Sequence, residues 1–99
     1  QSSFEYDFLL FCENLGILNQ IENGHSYNYL EEDRKFGLRL MTDFSIGDYE
    51  IEIKSSYIMK KQGGVDAVFA KKKAVEFSGK KYIFLLDKNY SIFNDILTI

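Results

Sequence analysis

Thr42-Asp43-Phe44-Ser45-Ile46-Gly47-Asp48-Tyr49-Glu50-Ile51-Glu52-Ile53-Lys54 is the most informative stretch of the chain. Two alternating runs flank Gly47-Asp48, a two-residue Gly-X loop that favours a type II′ hairpin. That loop pairs Ile46 with Tyr49, Phe44 with Ile51, Thr42 with Ile53 and Asp43 with Glu52. Alternation gives Phe44, Ile51, Thr42 and Ile53 a mainly apolar face and sends Asp43, Glu52 and Lys54 to the other. Glu50 shares that second face. Directly opposed Cβ atoms lie about 4.5–5.5 Å apart, where like charges destabilise a sheet. Two compensations suit Asp43 and Glu52. A divalent cation between the carboxylates turns repulsion into coordination, and hard oxygen donors select Mg²⁺ or Mn²⁺. Alternatively, Lys54 neutralises the pair as an ordinary salt bridge.

Upstream, Phe4, Phe8, Phe11 and Leu15 form one helical stripe, with Ser3 as N-cap candidate and Gly16 as stop. Ile17 to Ile21 and Ser26 to Leu30 flank Glu22-Asn23-Gly24-His25, where Asn-Gly is a turn signal, and read as two short strands or an extended arm. Glu31 to Gly37 reads as a loop, and Leu38 to Ile46 as the first hairpin strand. Downstream, Gly63-Gly64 opens a helical pattern carrying Val65, Val68, Phe69 and Val75, with Gly79 as its stop. Tyr82 to Leu86 is a continuous apolar run, expected to be a strand buried on both faces. A last helix is expected from Ser91. The order predicts one α/β (α+β) domain over residues 1–99, with helices flanking a mixed sheet.

A 99-residue chain supports one modest core and excludes two catalytic domains. No apolar run approaches the roughly 18 residues of a membrane span, so no membrane partner is expected. The single cysteine, Cys12, excludes an internal disulfide framework and reads as a small core residue. No signal-peptide pattern is present, and a cytoplasmic, intracellular protein is expected. The net charge of −3 is unevenly spread. Residues 1–53 hold eleven acids against three bases, whereas residues 54–99 hold nine lysines against four acids. The bland reading of those lysines is a solvated face.

An acid two residues before a lysine says little alone: roughly 1.5 are expected by chance at this composition. Two occur, Asp33-Arg34-Lys35 and Glu52-Ile53-Lys54. Only the second lies on a predicted strand, has an aspartate on the partner strand and is flanked by apolar residues. In this setting Thr42-Asp43, followed after eight residues by Glu52-Ile53-Lys54, resembles the signature of the PD-(D/E)XK nuclease superfamily. That group includes restriction enzymes, Holliday-junction resolvases and transposon end-cleaving nucleases. The surrounding order is similar to the family's αβββαβ restriction-endonuclease-like core. Threonine stands where the family often has proline, a position that is not a ligand.

The resemblance implies a Mg²⁺-dependent endonuclease, with Mn²⁺ as an alternative metal, hydrolysing DNA phosphodiester bonds. By position, Asp43, Glu52 and the Ile53 carbonyl would bind the metal, and Lys54 would orient or help deprotonate the attacking water and stabilise negative charge at the phosphate. Glu5 on the first helix is a second-tier candidate, against a role at the helix dipole. Gln62 is another, against a solvated loop residue. Lys60, Lys61, Lys71, Lys72 and Lys73 are candidates for holding a DNA backbone. The alternative is a nuclease-like module without hydrolysis that binds DNA or a partner subunit. A lone site cuts one strand, so duplex or junction cleavage implies a homodimer or larger assembly. Glu50 reads as an outer metal ligand or, by preference, as a partner for nearby lysines, and His25 as loop surface. Tyr27, Tyr29 and Tyr57 read as core aromatics or as stacking platforms for bases.

Overall fold

A computed structural model of the chain describes residues 3–61 and 64–97. Helix α1 runs Ser3–Asn14 and fully buries Phe8 and Cys12. It stops as expected: Gly16 takes φ 77°, its N–H donates to the Glu13 carbonyl, and the Ile17 N–H donates to that of Cys12. This Schellman closure requires the left-handed residue that glycine supplies without strain.

The next segment departs from expectation. Leu18–Gln20 is a 3₁₀ turn rather than a strand, because the Gln20 and Ile21 N–H groups bond locally to Ile17 and Leu18. Strands β1 (Glu22–Asn23) and β2 (Ser26–Asn28) follow, but each pairs elsewhere. β1 lies antiparallel to β4 (Phe44–Ile46), and β2 to β3 (Arg39–Met41). The expected continuous strand from Leu38 to Ile46 is therefore broken at Thr42-Asp43, and its halves belong to two sheets. Glu31–Phe36, expected to be a loop, is a 3₁₀ helix.

β4 and β5 (Tyr49–Lys54) form the expected hairpin, with Ile46 opposite Tyr49 and Phe44 opposite Ile51. The expected pairs of Thr42 with Ile53 and Asp43 with Glu52 do not join the ladder, because the Asp43 N–H donates to the Ile51 carbonyl instead. Gly47 takes φ 56° while Asp48 keeps a negative φ, the combination that marks a type II′ loop. Helices α2 (Ser56–Lys61) and α3 (Gly64–Phe77) connect β5 to β6 (Lys81–Leu86), which runs parallel to β5. α3 ends in a second Schellman closure at Gly79, φ 93°. α4 (Ser91–Leu97) closes the described chain.

The main sheet has the order β1-β4-β5-β6. Along it the chain runs α1, β1, β4, β5, α3, β6, which is the αβββαβ succession, with the β2–β3 ribbon, α2 and α4 added. On one face Phe44, Ile51, Ile53, Ile83 and Leu85 pack with Phe8, Cys12 and Phe93 of α1 and α4. The Phe8 ring stacks on Phe44 at 5.5 Å and meets Phe93 edge-on at 5.1 Å. Each such buried side chain contributes about 1.5–3 kcal/mol of burial free energy. On the other face Leu40, Ala74 and Val75 pack with Tyr27, Tyr29 and Tyr82. β6 is the last strand and is not buried on both faces: Ile83 and Leu85 are buried, Tyr82 and Phe84 half-buried, Leu86 exposed. Among the described residues no helix is long and apolar enough to cross a membrane.

Candidate functional site

At the strand break the β4–β5 ladder gives way to a side-chain clamp. The Asp43 N–H donates to the Ile51 carbonyl at 3.0 Å, and Asp43 Oδ2 accepts the Ile53 N–H at 2.7 Å. One aspartate thus spans the two residues that bracket Glu52 and has its carboxylate fixed against β5. Glu52, mid-strand, has its side chain 1 % exposed. Its Oε2 lies 3.1 Å from Lys71 Nζ and 3.5 Å from Lys54 Nζ, while Oε1 is buried with no hydrogen-bond partner. Leaving such an atom unsatisfied costs about 1–3 kcal/mol. Burial pushes the Glu52 carboxyl above its ordinary range, the Asp43 charge pushes the same way, and Lys71 and Lys54 oppose both.

Lys54 ends β5 at the mouth of the site. Its carbonyl accepts the Asp87 N–H at 3.0 Å, and Asp87 Oδ1 accepts the Ser56 N–H at 2.9 Å, capping α2 from 31 residues away. Ser55 Oγ accepts the Ile58 N–H at 3.2 Å, a local N-cap on the same helix. Lys54 is therefore followed by a turn held from both sides. An open cavity of about 220 Å³ adjoins it, lined by Phe4, Glu5, Asp43, Ile53, Lys54, Ser55 and Ile58. α1 thus brings Glu5 to the same cavity as Asp43.

Lysines beyond the motif separate sharply. Lys71 turns inward onto Glu52. Lys73 is engaged by Asp33 at 2.8 Å and Glu32 at 3.1 Å. Lys60 and Lys72 are exposed. Gln62 and the Lys61 side chain lie outside the described residues. Tyr27 and Tyr29 pack against the α3 core, and burial, with Glu50 adding to it, pushes the Tyr27 phenol up to about 12. Tyr57 is 63 % exposed on α2.

A second carboxylate, expected to partner lysines, has other partners. Glu50 is fully buried and, among the described residues, meets no lysine. It accepts Thr42 Oγ1–H at 2.6 Å and the His25 N–H at 3.1 Å, and lies 2.9 Å from His25 Nδ1. Burial pushes its carboxyl up, but the Thr42 and His25 hydrogen bonds outweigh burial and the net shift is downward. His25 is thus a partner of a buried charge rather than plain loop surface. The available signal was parity: Glu50 and Glu52 share one face of β5. What parity did not reveal was that β1 and its turn would cover Glu50.

Among the described residues no three His, Cys, Asp or Glu side chains converge as a cage for a metal ion. The donor set is two carboxylates and the Ile53 carbonyl. That composition fits Mg²⁺, which keeps several waters and uses one or two carboxylates rather than an all-protein cage. The orphaned, buried Glu52 Oε1 fits it as well, and so does the fixed Asp43 carboxylate, which lines the open cavity with Ile53 and Lys54. No protein-family model, curated protein or solved structure matches this chain.

Proposed function

We propose that the chain is a Mg²⁺-dependent endonuclease domain of the PD-(D/E)XK type, acting on DNA. The observation that carries the reading is the convergence on β5: buried Glu52 with an unpartnered oxygen, Lys54 beside it and Asp43 clamped across it. A buried carboxylate with a raised pKa next to a second carboxylate is a costly arrangement that function explains better than stability does. Asp43, Glu52 and the Ile53 carbonyl would hold the metal. When bound, a hard divalent cation supplies acidified water and charge neutralisation at a phosphate. Lys54 contributes a positive charge at the cavity mouth, where it orients that water and stabilises charge developing on the phosphate. The water oxygen bonds to phosphorus and gives up a proton, the phosphorus–oxygen bond to the leaving sugar breaks, and the leaving oxygen takes up a proton, so that one proton is lost and one gained.

The experiment is a cleavage assay with Mg²⁺ or Mn²⁺ over linear, nicked, single-stranded and four-way-junction DNA. Metal-dependent cleavage is expected, falling by at least about 10²–10³-fold in Glu52→Ala and Lys54→Ala while circular dichroism stays native. Cleavage unaffected by both substitutions overturns the reading. One observation favours a second reading: Lys71 and Lys54 already neutralise Glu52 without metal. A nuclease-like module that binds DNA without cutting it would show steeply salt-dependent binding and no metal-triggered cleavage.

A further inference from the structure

Glu52 Oε2 has two ammonium neighbours, and the nearer is not the motif lysine. Lys71 approaches to 3.1 Å and Lys54 to 3.5 Å. Lys54 reaches Glu52 because it lies two residues on along the same strand. Lys71 reaches it from α3, whose rotation is set by Ala70, Ala74 and Val75, all buried against the sheet. Ala70 lets the helix lie close, and Lys71 follows it at the edge of that face. The stems of both lysines line a small cavity of about 80 Å³ with Ile58, Met59, Ala67 and Val68, an apolar sleeve that leaves the charged heads at the carboxylate. The Lys71 side chain keeps 19 % exposure, so solvent is within reach of its head.

We propose that Lys71 is a resident counter-ion of Glu52 that a divalent cation displaces, so that metal loading releases a lysine from the site to the substrate-facing surface. The proposal rests on the metal-binding reading above and extends it to a residue outside the Asp/Glu-x-Lys motif. A cation bound to Glu52 repels an ammonium held on the same carboxylate, and at such separations in a partly buried site that repulsion is poorly screened. The two side chains are similarly exposed, Lys54 at 24 % and Lys71 at 19 %; on the reading above Lys54 is needed at the site, so Lys71 is the ammonium left to leave. Lys71 has a flexible four-carbon stem, and its sequence neighbour Lys72 is exposed. Released there, the two lysines form a pair suited to a phosphodiester backbone. Metal binding and backbone binding are then coupled through one side chain, and by linkage each strengthens the other.

Two measurements test this. Calorimetric titration with Mn²⁺ at pH 7.5 compares the unsubstituted protein with Lys71→Met and Lys72→Met, which make the same charge change on adjacent residues. Met keeps the apolar stem. Lys71→Met is expected to bind Mn²⁺ at least about fivefold more tightly, and Lys72→Met to stay within about twofold of the unsubstituted protein. Equal affinities for the two variants, or weaker binding by Lys71→Met, overturn the proposal. In the unsubstituted protein, NMR of the lysine ammonium groups is expected to show slow proton exchange at Lys71 without metal and fast exchange once Mg²⁺ is added. Protection of Lys71 that persists at saturating Mg²⁺ overturns it without relying on the fold of a variant. No Mn²⁺ binding by the unsubstituted protein overturns the metal-binding reading itself, and this inference with it.

Discussion

Glu50 and Glu52 are two residues apart on one strand, both buried, and their carboxyls shift in opposite directions. The difference lies in what faces them. Glu50 receives a hydroxyl, a backbone N–H and an imidazole, all of which favour the ionised form over burial. Glu52 has burial and the Asp43 charge against it, and two lysines on one of its oxygens. Linkage fixes the sign of each effect. The lowered Glu50 pKa gives stability that is present above the unfolded carboxyl value of about 4.3 and lost as pH falls through the folded value. The raised Glu52 pKa works in reverse: its contribution is present below the unfolded value and lost as pH rises through the folded one. Glu50→Gln is therefore expected to cost about 1–3 kcal/mol at pH 7, with the gap to the unsubstituted protein closing toward pH 3. Urea denaturation at the two pH values checks this, and a gap that stays constant counts against a charged Glu50.

At the scale of elements, the site depends on the break between β3 and β4. Gly24 in the turn between β1 and β2 makes it possible. A Cβ there would lie 2.1 Å from the Thr42 carbonyl oxygen and 2.3 Å from Thr42 Oγ1, and the Gly24 N–H itself donates to the Asp43 carbonyl at 3.3 Å. The turn backbone thus presses directly on the two residues that orient Glu50 and Glu52. Gly24→Ala is expected to destabilise the fold by about 2–4 kcal/mol. It is also expected to weaken divalent-cation binding, as read by chemical denaturation and calorimetry. A neutral Gly24→Ala would show that this contact does not hold the break.

These elements also show what the sequence could reveal. Gly47-Asp48 pins the β4–β5 register locally, so Phe44 opposite Ile51 was legible. Gly16 and Gly79 marked helix ends through backbone conformations that glycine adopts without strain. The break at Thr42-Asp43 was not legible, because its causes are Gly24, His25 and Glu50, brought together only by the tertiary fold. α2 was missed for the same reason: one of its caps, Asp87, comes from the far end of β6. The triplet Glu52-Ile53-Lys54 was legible as a site candidate, whereas Lys71, folded back onto Glu52 from α3, had no local signal distinguishing it from Lys72 and Lys73.

Across the whole molecule, the acidic first half and basic second half are joined by ion pairs. Lys71 and Lys54 meet Glu52, Lys73 meets Glu32 and Asp33, Lys80 meets Asp48 and Lys88 meets Asp7. Much of the charge asymmetry therefore serves the fold, and the surface offered to a phosphate backbone is narrower than the lysine count suggests. The molecule measures 40 × 30 × 22 Å, comparable in length to one turn of duplex, about 34–36 Å. On the proposed function a single copy covers one strand's target and cuts once. All of this turns on whether a divalent cation binds at Asp43 and Glu52 rather than at the other acidic concentration, the Glu31-Glu32-Asp33 turn. Titration of the ¹⁵N-labelled protein with Mn²⁺ reads this directly, since the ion broadens nearby amide resonances. Broadening centred on Asp43, Glu52, Ile53 and Lys54 is the expected result; broadening centred on Glu31 to Asp33, or none at all, would contradict the metal site.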